Sequence, residues 1–450
     1  MDKARFRERL IPLLFAAAGT MVYISLVFDR NVWLDEAFSA SIIRCGFHDM
    51  LQRTFSDTLP PFYNVAAWCF TRLFGYSTLS LKLFSVIPMA ALMLMAACLL
   101  TEKDDSASAC VYIALATFMP HMLNHGVEIR MYSWALFFAA ASAICLYCII
   151  KARPRFMIPL VVFTVLGAYT HQFALMAEAL VWLMLLVFCI KEKKLPLWCK
   201  GALSCFLLYI PCALLTLRQM KKASSYFEAS GGGLSGLLSA LRYPFVTDIT
   251  PISALLALAV TALFVYAFIR KDFLSLCFMG IYVIISFISY GIMALTGSTF
   301  FSARYLMPAI GILWLGAALA VGPLMKKRPA RILCILITAA VAIPVYAGEY
   351  REASVDTAAF EAFIDSTGEG DGYVMYENAP EIEWCLNYYA PGLKRCDLSG
   401  IGSLPGKKYL FFSSTYEKTP EEVLKEADLD AEYVGTFGFD RYIFTAYILR

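Results

Sequence analysis

Charged residues are scarce in this chain of 450 residues, since Asp, Glu, Lys and Arg together make up only 16% of it. Hydrophobic residues make up 60%, which is more apolar surface than a soluble domain of this length needs. Long apolar runs recur along the chain, and each is long enough to cross a hydrocarbon core about 30 Å thick. The composition therefore predicts a polytopic α-helical membrane protein.

Other sequence features are also missing. The chain has no glycine-rich nucleotide-binding loop, which disfavours a soluble nucleotide as a donor bound in the usual way. It has no evident internal repeat and no low-complexity segment. No small-residue cleavage site follows the first apolar run, 10–28, so we expect a retained first membrane helix and not a removed signal peptide. We expect no cofactor and no nucleic-acid partner.

The lysines and arginines define a topology. They cluster near the N-terminus and in segments 151–155, 191–194, 270–271 and 326–331. The positive-inside rule places all these clusters on the cytoplasmic side, together with the N-terminus. This predicts about 11 transmembrane helices, at 10–28, 79–100, 106–123, 131–150, 156–171, 172–190, 197–217, 251–269, 273–296, 305–324 and 330–347.

One apolar segment, 62–74, is too short for a span and follows Pro60 and Pro61. We expect it to be a helix lying in the outer interface, because a crossing there would move every later basic cluster outside. The stretch 219–250, which contains three consecutive glycines, is expected to be a mobile outer loop.

The last hundred residues differ from the rest of the chain, because short helical and strand patterns replace the long apolar runs. Helical patterns near 355–366, 379–389 and 420–427 alternate with strand patterns at 373–376, 409–412, 431–437 and 442–449. We therefore predict a membrane domain over 1–348 and a small extracytoplasmic α/β domain over 349–450. Cys385 and Cys396 lie in this tail and could form a disulfide outside the cell.

Two adjacent carboxylates, Asp35 and Glu36, follow the first span directly. Acidic groups at a membrane boundary are expensive unless they are paired, hydrated or used in function. One could act as a general base while the other orients a substrate hydroxyl. The structural alternative is that they cap the interfacial helix that follows, because acidic groups favour helix N-termini.

Further polar groups stand at the same predicted face. Glu128, Arg130 and Tyr132 begin one span, and Arg304 with Tyr305 begins another. An arginine can bind phosphate with its forked donors, or it can pair locally or extend its charge to the interface. Asp57 and His171 belong to the same face, where each could also be structural. The spacing of His121 and His125 could bind zinc, although no His-Glu-x-x-His motif is present.

These residues form an ordered set of motifs that resembles bacterial glycosyltransferase family 39, within the GT-C group that includes protein O-mannosyltransferases and the lipid A aminoarabinose transferase. The resemblance covers about residues 10–310. Its motifs are Trp33-x-Asp35-Glu36-Ala37, Asp57-x-x-Pro60-Pro61-x-Tyr63, Leu73-Phe74-Gly75, Lys82 with Ser85, Glu128-x-Arg130-Met131-Tyr132, Tyr169-x-His171 and Arg304-Tyr305-Leu306.

The resemblance implies an inverting, metal-independent hexosyl- or pentosyltransferase. It would move a sugar from a polyprenyl-phosphate carrier to a lipid, protein or glycan hydroxyl on the extracytoplasmic face. Asp35 would be the base, and Glu36 would position the acceptor or donor. The implied phosphate-binding residues are Arg130, Tyr132, Lys82 and Arg304, and the implied site-lining residues are Asp57, Glu128, His171 and Tyr305.

Two positions depart from the pattern. Leu59 stands where the family commonly has His or Lys, and Phe38 stands where the lipid A branch has an arginine. They disfavour assignment to the aminoarabinose branch. A polytopic transporter or lipid-linked glycan flippase is the alternative reading, although such proteins often carry internal repeats and charges near the midplane. An assembly protein whose tail binds wall polymer is a third.

Overall fold

A computed structural model of the chain shows where these segments lie. It describes residues 3–28, 31–101, 106–226, 234–296, 302–353, 358–368, 370–375, 380–396, 406–413, 418–426, 428–439 and 442–450.

The first third of the chain alternates long helices with short ones. Its helices are Lys3–Ser25 (α1), Leu34–Arg44 (α2), Phe47–Ser56 (α3), Phe62–Phe74 (α4), Thr78–Leu99 (α5), Ala107–Phe118 (α6), Met122–Val127 (α7) and Tyr132–Ile150 (α8).

The described residues between 154 and 353 add eight α-helices and four short 3-10 helices. The α-helices are Met157–Ala168 (α9), Gln172–Lys191 (α10), Leu195–Tyr226 (α11), Leu234–Arg242 (α12), Thr250–Ile269 (α13), Phe273–Thr296 (α14), Met307–Val321 (α15) and Arg328–Ala353 (α16). The 3-10 helices are Pro154–Phe156, Tyr243–Phe245, Ala303–Leu306 and Gly322–Lys326.

Apolar helices occur at all the predicted membrane spans. Within the described ranges, eight helical segments are long and apolar enough to cross a bilayer, and three shorter apolar helices lie at Arg9–Ser25, Ala107–Phe118 and Pro154–Ala168. Together they correspond to α1, α5, α6, α8–α11 and α13–α16. The chain is therefore a multi-pass α-helical membrane protein, as its composition predicts.

Helices α8 and α15 form the centre of the bundle. Nearly all their residues are buried, and they pack closely at Gly311, where an added Cβ would lie 3.0 Å from the Leu136 side chain. Small residues allow such close approach between membrane helices. Most of α16 is instead accessible, with Ile332, Leu333 and Ile343 exposed, as expected for a helix that faces lipid.

The predicted helix at 62–74 is present as α4. It follows Pro60 and Pro61, and it ends at Gly75, whose φ of 86° lies in the left-handed region that favours glycine. Its 13 residues are too few for a span. One side of α4 buries Tyr63 and Asn64, whereas Leu73 near its end is 80% exposed.

Three short helices differ from the sequence-based expectation. Segment 29–61 contains α2 and α3, and the predicted loop 219–250 contains α12. Tertiary contacts account for α12, because Leu237 and Ala240 are buried and the Tyr282 hydroxyl of α14 donates a hydrogen bond to the Ala240 carbonyl. Such contacts override the weak local preference of short segments. The three glycines at 231–233 lie outside the described residues.

The tail forms the predicted α/β domain. Its elements are Ala358–Asp365 (α17), Gly372–Met375 (β1), Pro380–Tyr389 (α18), Lys394–Arg395 (β2), Lys408–Ser413 (β3), Pro420–Glu426 (α19), Ala431–Phe439 (β4) and Tyr442–Leu449 (β5). The described strands form one sheet in the order β2-β1-β3-β5-β4, in which β1 pairs in parallel with β2 and β3, and β5 pairs antiparallel with β3 and β4. The short strand β2 was not predicted.

The option of a disulfide in the tail is not realised. Cys385 and Cys396 are both free thiols. Cys385 is buried in α18 with its Sγ 3.9 Å from the Val32 carbonyl, whereas Cys396 follows β2 and its Sγ lies 3.8 Å from the Lys394 carbonyl. The two side chains therefore serve different contacts. The domain boundary at 348/349 stays a prediction, and α16 continues across it to Ala353.

The tail domain docks on α2 through α18. The Arg44 guanidinium donates to the Tyr388 carbonyl at 2.8 Å, and the Val32 amide donates to the Tyr389 hydroxyl at 2.8 Å. The rings of Phe38 and Trp384 meet edge to face, with their centroids 4.7 Å apart. The domain thus holds the helix that begins with the two adjacent carboxylates.

We predict that Trp384→Ala loosens this docking. The change removes an aromatic contact and part of the apolar interface, which should weaken docking by about 2 kcal/mol. Limited proteolysis in detergent should then release a C-terminal fragment faster than from the unaltered protein. Trp384→Phe, which retains a ring, is the control, and equal cleavage rates for all three proteins would contradict the prediction.

Candidate active site

The site is built around the start of α2. Helix N-termini have unpaired N–H groups and favour negative charge. Glu36 uses this by accepting the Trp33 amide hydrogen on Oε2, at 3.2 Å, so it caps α2. The helix considered for capping from the sequence was the later interfacial one, α4, which begins at Phe62. Asp35, one residue earlier on α2, is directed at Arg304 instead. The two carboxylates therefore have different surroundings.

Asp35 forms an ion pair with Arg304. Asp35 Oδ2 lies 2.8 Å from a terminal nitrogen of Arg304, and the two side chains keep 20% and 27% of their surface exposed. The Arg304 guanidinium also lies over the rings of Trp33 and Tyr132, at 5.4 and 6.0 Å from their centroids. This carboxylate and this cation are therefore adjacent and still accessible.

Arg130 adds a second cation beside Asp35. One of its terminal nitrogens donates to Ser39 Oγ at 2.9 Å and to the Asp35 carbonyl at 3.3 Å. Burial alone lowers the pKa of Arg130, but nearby negative charge, mainly that of Asp35, raises it more strongly. The guanidinium is therefore charged although the residue is only 7% exposed.

Glu36 joins α2 to the turn that carries Arg130. Its Oε1 accepts the Ile129 amide hydrogen at 2.8 Å, and the residue is 4% exposed. Burial raises the pKa of Glu36 to about 7, although the charge of Lys82 and the two backbone hydrogen bonds oppose this shift. Lys82 is also buried, and its Nζ donates to the Asn31 carbonyl at 2.9 Å. These contacts place Lys82 on the Glu36 side of the site.

Glu128 faces a histidine. Its Oε2 lies 2.5 Å from His125 Nδ1, and His125 Nε2 lies 2.9 Å from the Tyr243 hydroxyl. His121 stacks on the Tyr243 ring at 4.0 Å, and its Nε2 lies 3.0 Å from the Tyr243 carbonyl. The two histidines considered for zinc thus have other partners, and no group of three potential metal ligands was found among the described residues.

His171 caps α10 beside the arginines. Its Nδ1 accepts the Phe173 amide hydrogen at 3.1 Å, so a neutral ring carries its proton on Nε2. Burial, together with the charges of Arg130 and Arg304, lowers the pKa of His171 to about 3. The ring lies 5.4 Å from that of Tyr305. His171 is therefore a neutral N–H donor at this site.

A small cavity adjoins Arg130 on the side of α4. Its lining includes Phe38, Ser39, Asp57, Tyr63, Asn64 and Arg130. The cavity thus combines a carboxylate, an amide, hydroxyl groups and a cation with two aromatic rings.

Several buried polar atoms here have no hydrogen-bond partner among the described residues. Such atoms are uncommon in folded proteins and mark a strained or functional place. In this site they are Tyr63 Oη, Glu128 Oε1, Arg130 Nε, Tyr132 Oη, His171 Nε2 and Arg304 Nε. Five of these six can donate a hydrogen bond, which suits an anion with several oxygen acceptors.

The structure brings all ten sequence-predicted residues to one end of the bundle. Five of them contact one another directly or through a shared neighbour, namely Asp35, Arg130, Tyr132, Arg304 and His171. Glu36 and Lys82 lie next to this group and bind backbone groups that position it. Ser39 and Tyr243 were not predicted. Ser39 lies one helical turn after Asp35, so its helical spacing could have indicated it. Nothing local indicates Tyr243, which reaches His125 from 118 residues away.

Solved structures share this architecture. No protein-family model matches the chain, and no curated protein matches it by sequence. The structure superimposes on ArnT from Cupriavidus metallidurans in the apo state, with a TM-score of 0.60 and 13% identity over 96% of this chain and 97% of that one. The chain has the fold of ArnT.

A second ArnT structure extends the comparison. The same protein bound to undecaprenyl phosphate matches with a TM-score of 0.60 and 15% identity, over the same shares of the two chains. Identity this low carries information on the fold alone. The superposition confirms the polytopic helical fold with a small C-terminal α/β domain that the sequence predicts.

We predict that Glu36 makes stability depend on pH. Its folded-state pKa of about 7 exceeds the ordinary 4.5. The proton-bound form therefore stabilises the fold below pH 4.5, and this contribution is lost as the pH rises through 7. The loss amounts to at most about 3 kcal/mol. Wild-type Tm should fall more between pH 5 and 8 than the Tm of Glu36→Gln, which has no titrating group here.

The matched control is Glu192→Gln, because Glu192 is exposed at the other end of the bundle. It should keep the wild-type pH profile. Parallel profiles for the wild type and Glu36→Gln would contradict the prediction.

Proposed function

We propose that this protein is a membrane glycosyltransferase that uses a polyprenyl-phosphate-linked sugar. The observation that carries the proposal is that Arg304 pairs with the accessible Asp35 carboxylate while Arg130 donates to the Asp35 main-chain carbonyl. Each guanidinium also has an Nε–H without a hydrogen-bond partner among the described residues. The shared fold with ArnT, which binds undecaprenyl phosphate, supports a lipid-borne phosphate as the anion. The apolar bundle beneath the site would accommodate the lipid tail.

The reaction assigns each group a role. Asp35 accepts the proton of the acceptor hydroxyl while that oxygen attacks the anomeric carbon. The bond from the anomeric carbon to the phosphate oxygen breaks, and the phosphate leaves with the electron pair. Arg130, Arg304 and the Tyr132 hydroxyl stabilise the developing negative charge, as preorganised donors do in low-dielectric sites. Attack opposite the leaving phosphate inverts the anomeric configuration.

The remaining residues prepare this arrangement. Glu36 and Lys82 hold the start of α2 against the turn at Ile129, so that Asp35 and Arg130 stay side by side. We therefore assign Lys82 a supporting role, whereas the resemblance implies a direct contact with the phosphate. His171 supplies one N–H donor, and Tyr305 packs against its ring. Asp57 would accept sugar hydroxyl hydrogens in the cavity beside Arg130.

The site belongs to the extracytoplasmic face in this proposal. Tyr132 begins α8 at the site, and the basic cluster at 151–155 follows its other end, about 28 Å away for 19 residues. Because the positive-inside rule holds the basic cluster in the cytoplasm, the site lies across the membrane from it. The N-terminus would then be cytoplasmic and the tail domain extracytoplasmic.

We predict that Asp35→Asn abolishes sugar transfer, lowering kcat by about 10³-fold or more. An amide cannot accept the hydroxyl proton, and general bases contribute about 10²- to 10⁴-fold. Purified protein in liposomes would be assayed with undecaprenyl-phosphate-linked pentoses and hexoses and an envelope extract as acceptor, with products identified by mass spectrometry. Full activity would remove Asp35 as the base.

The control for this change is Asp49→Asn, which alters an exposed carboxylate on the adjacent helix α3. It should leave the rate unchanged. Movement of the lipid-linked sugar across the vesicle membrane without a glycosidic product would instead favour a flippase.

We also predict that Arg304→Gln lowers kcat by about 10²- to 10³-fold, because one charged donor to the leaving phosphate is lost. Donor KM should rise as well, since the same group contacts the phosphate before reaction. Arg53→Gln, an exposed position on α3, is the control and should behave as the wild type. Unchanged kinetics for Arg304→Gln would exclude it from the phosphate site.

A further inference from the structure

Three side chains next to the proposed phosphate site form a hydrogen-bonded row. Glu128 Oε2 contacts His125 Nδ1, and His125 Nε2 contacts the Tyr243 hydroxyl. An ionised carboxylate only accepts hydrogen bonds, so Nδ1 donates to Glu128. His125 Nε2 and the Tyr243 hydroxyl share the second hydrogen bond of the row. The imidazole therefore links the carboxylate to the tyrosine through both of its nitrogens.

The main chain at Glu128 is fixed. Its carbonyl accepts hydrogen bonds from Ser85 Oγ at 2.6 Å and from the Arg130 amide at 2.7 Å. Only rotation of the side chain decides where the carboxylate lies. Its second oxygen, Oε1, is buried and has no hydrogen-bond partner among the residues described. Of these residues, only His125 forms a side-chain hydrogen bond with the carboxylate.

The alternative position for this carboxylate is on an arginine. Glu128 is two residues from Arg130, and its negative charge already acts on that guanidinium. Arg130 Nε is unpartnered among the described residues. Carboxylates bind guanidinium groups in a bidentate manner, with the same donors that would bind a phosphate. A released Glu128 would therefore compete with an anionic ligand.

The position of Tyr243 makes the row rigid. Its ring stacks on His121 with an angle of 3° between the ring planes, and its carbonyl lies 3.0 Å from His121 Nε2. Two histidines, one preceding α7 and one within it, thus fix the 3-10 helix that carries the tyrosine. This helix follows α12, so a segment from the second half of the membrane domain sets the geometry of Glu128.

We propose that Tyr243 and His125 are positioning residues that hold the Glu128 carboxylate out of the anion site, which keeps Arg130 available for the phosphate. This inference rests on the proposed function, because it names the control of the same site. It predicts that loss of His125 weakens phosphate binding through Glu128 and not through a general loss of structure.

The test uses the full-length protein in detergent and undecaprenyl phosphate as the probe. His125→Phe retains the ring that packs 5.0 Å from Tyr132 but removes both nitrogens. We expect it to weaken binding about tenfold or more, because the freed carboxylate then occupies Arg130. The double variant His125→Phe/Glu128→Gln, which removes the competing charge, should return to within about threefold of the wild type.

Tyr243→Phe gives a second, milder measurement. It retains the stacking on His121 and removes only the hydroxyl, so we expect binding to weaken a few-fold, with Glu128→Gln again restoring it. A structural role of His125 would not be rescued by removing the charge at Glu128. Equal binding by His125→Phe and the wild type, or a double variant as weak as the single, would overturn the inference.

The two proposals fail in different ways. If the wild type binds no undecaprenyl phosphate, both fall. If the wild type binds it and the His125 and Tyr243 variants bind equally well, only the role of this row is overturned.

Discussion

Opposite charges buried at one end of an apolar bundle are the constraint on which this site depends. A charged group in a low-dielectric surrounding is costly unless it is paired, and removing one partner leaves the other uncompensated. Here Asp35 faces Arg304, and Glu36 lies within the field of Lys82. The two carboxylates belong to one segment, and their cationic partners come from two others. The requirement for pairing therefore holds three segments together before any ligand is considered.

The same requirement explains why backbone groups form hydrogen bonds with the charged side chains. Glu36 accepts two backbone N–H groups, and Arg130 donates to a backbone carbonyl. These bonds connect the first turn of α2 to the turn before α8, so the carboxylate that faces Arg304 and the second arginine cannot move independently. The tail domain adds a further restraint on α2 through Arg44 and Tyr389. Contacts with the turn before α8 and contacts with the tail domain therefore both hold α2 in place.

Much of this architecture could be predicted from the sequence, because hydrophobic length and basic clusters are strong signals. The two prolines and the short apolar length placed α4 correctly, and alternating patterns placed most of the tail domain. Helices α2, α3 and α12 and strand β2 were missed, since each is short and depends on distant contacts such as that of Tyr282 with Ala240. Such contacts produce no pattern in the local sequence, so hydrophobic periodicity could not predict the elements that depend on them.

For the site, the sequence indicated which chemical types of side chain are present, but not which side chains contact each other. Glu36 was weighed as a reactive group because it is an acidic residue at a membrane boundary, and the resemblance alone implied a phosphate contact for Lys82. Only their burial and their backbone partners indicate a supporting role. The case of His125 is similar, since its spacing from His121 suggested a metal, whereas its nitrogens contact Glu128 and Tyr243. Residue type and spacing identify which groups can react, but the partner of each atom decides which of them remains available to a substrate.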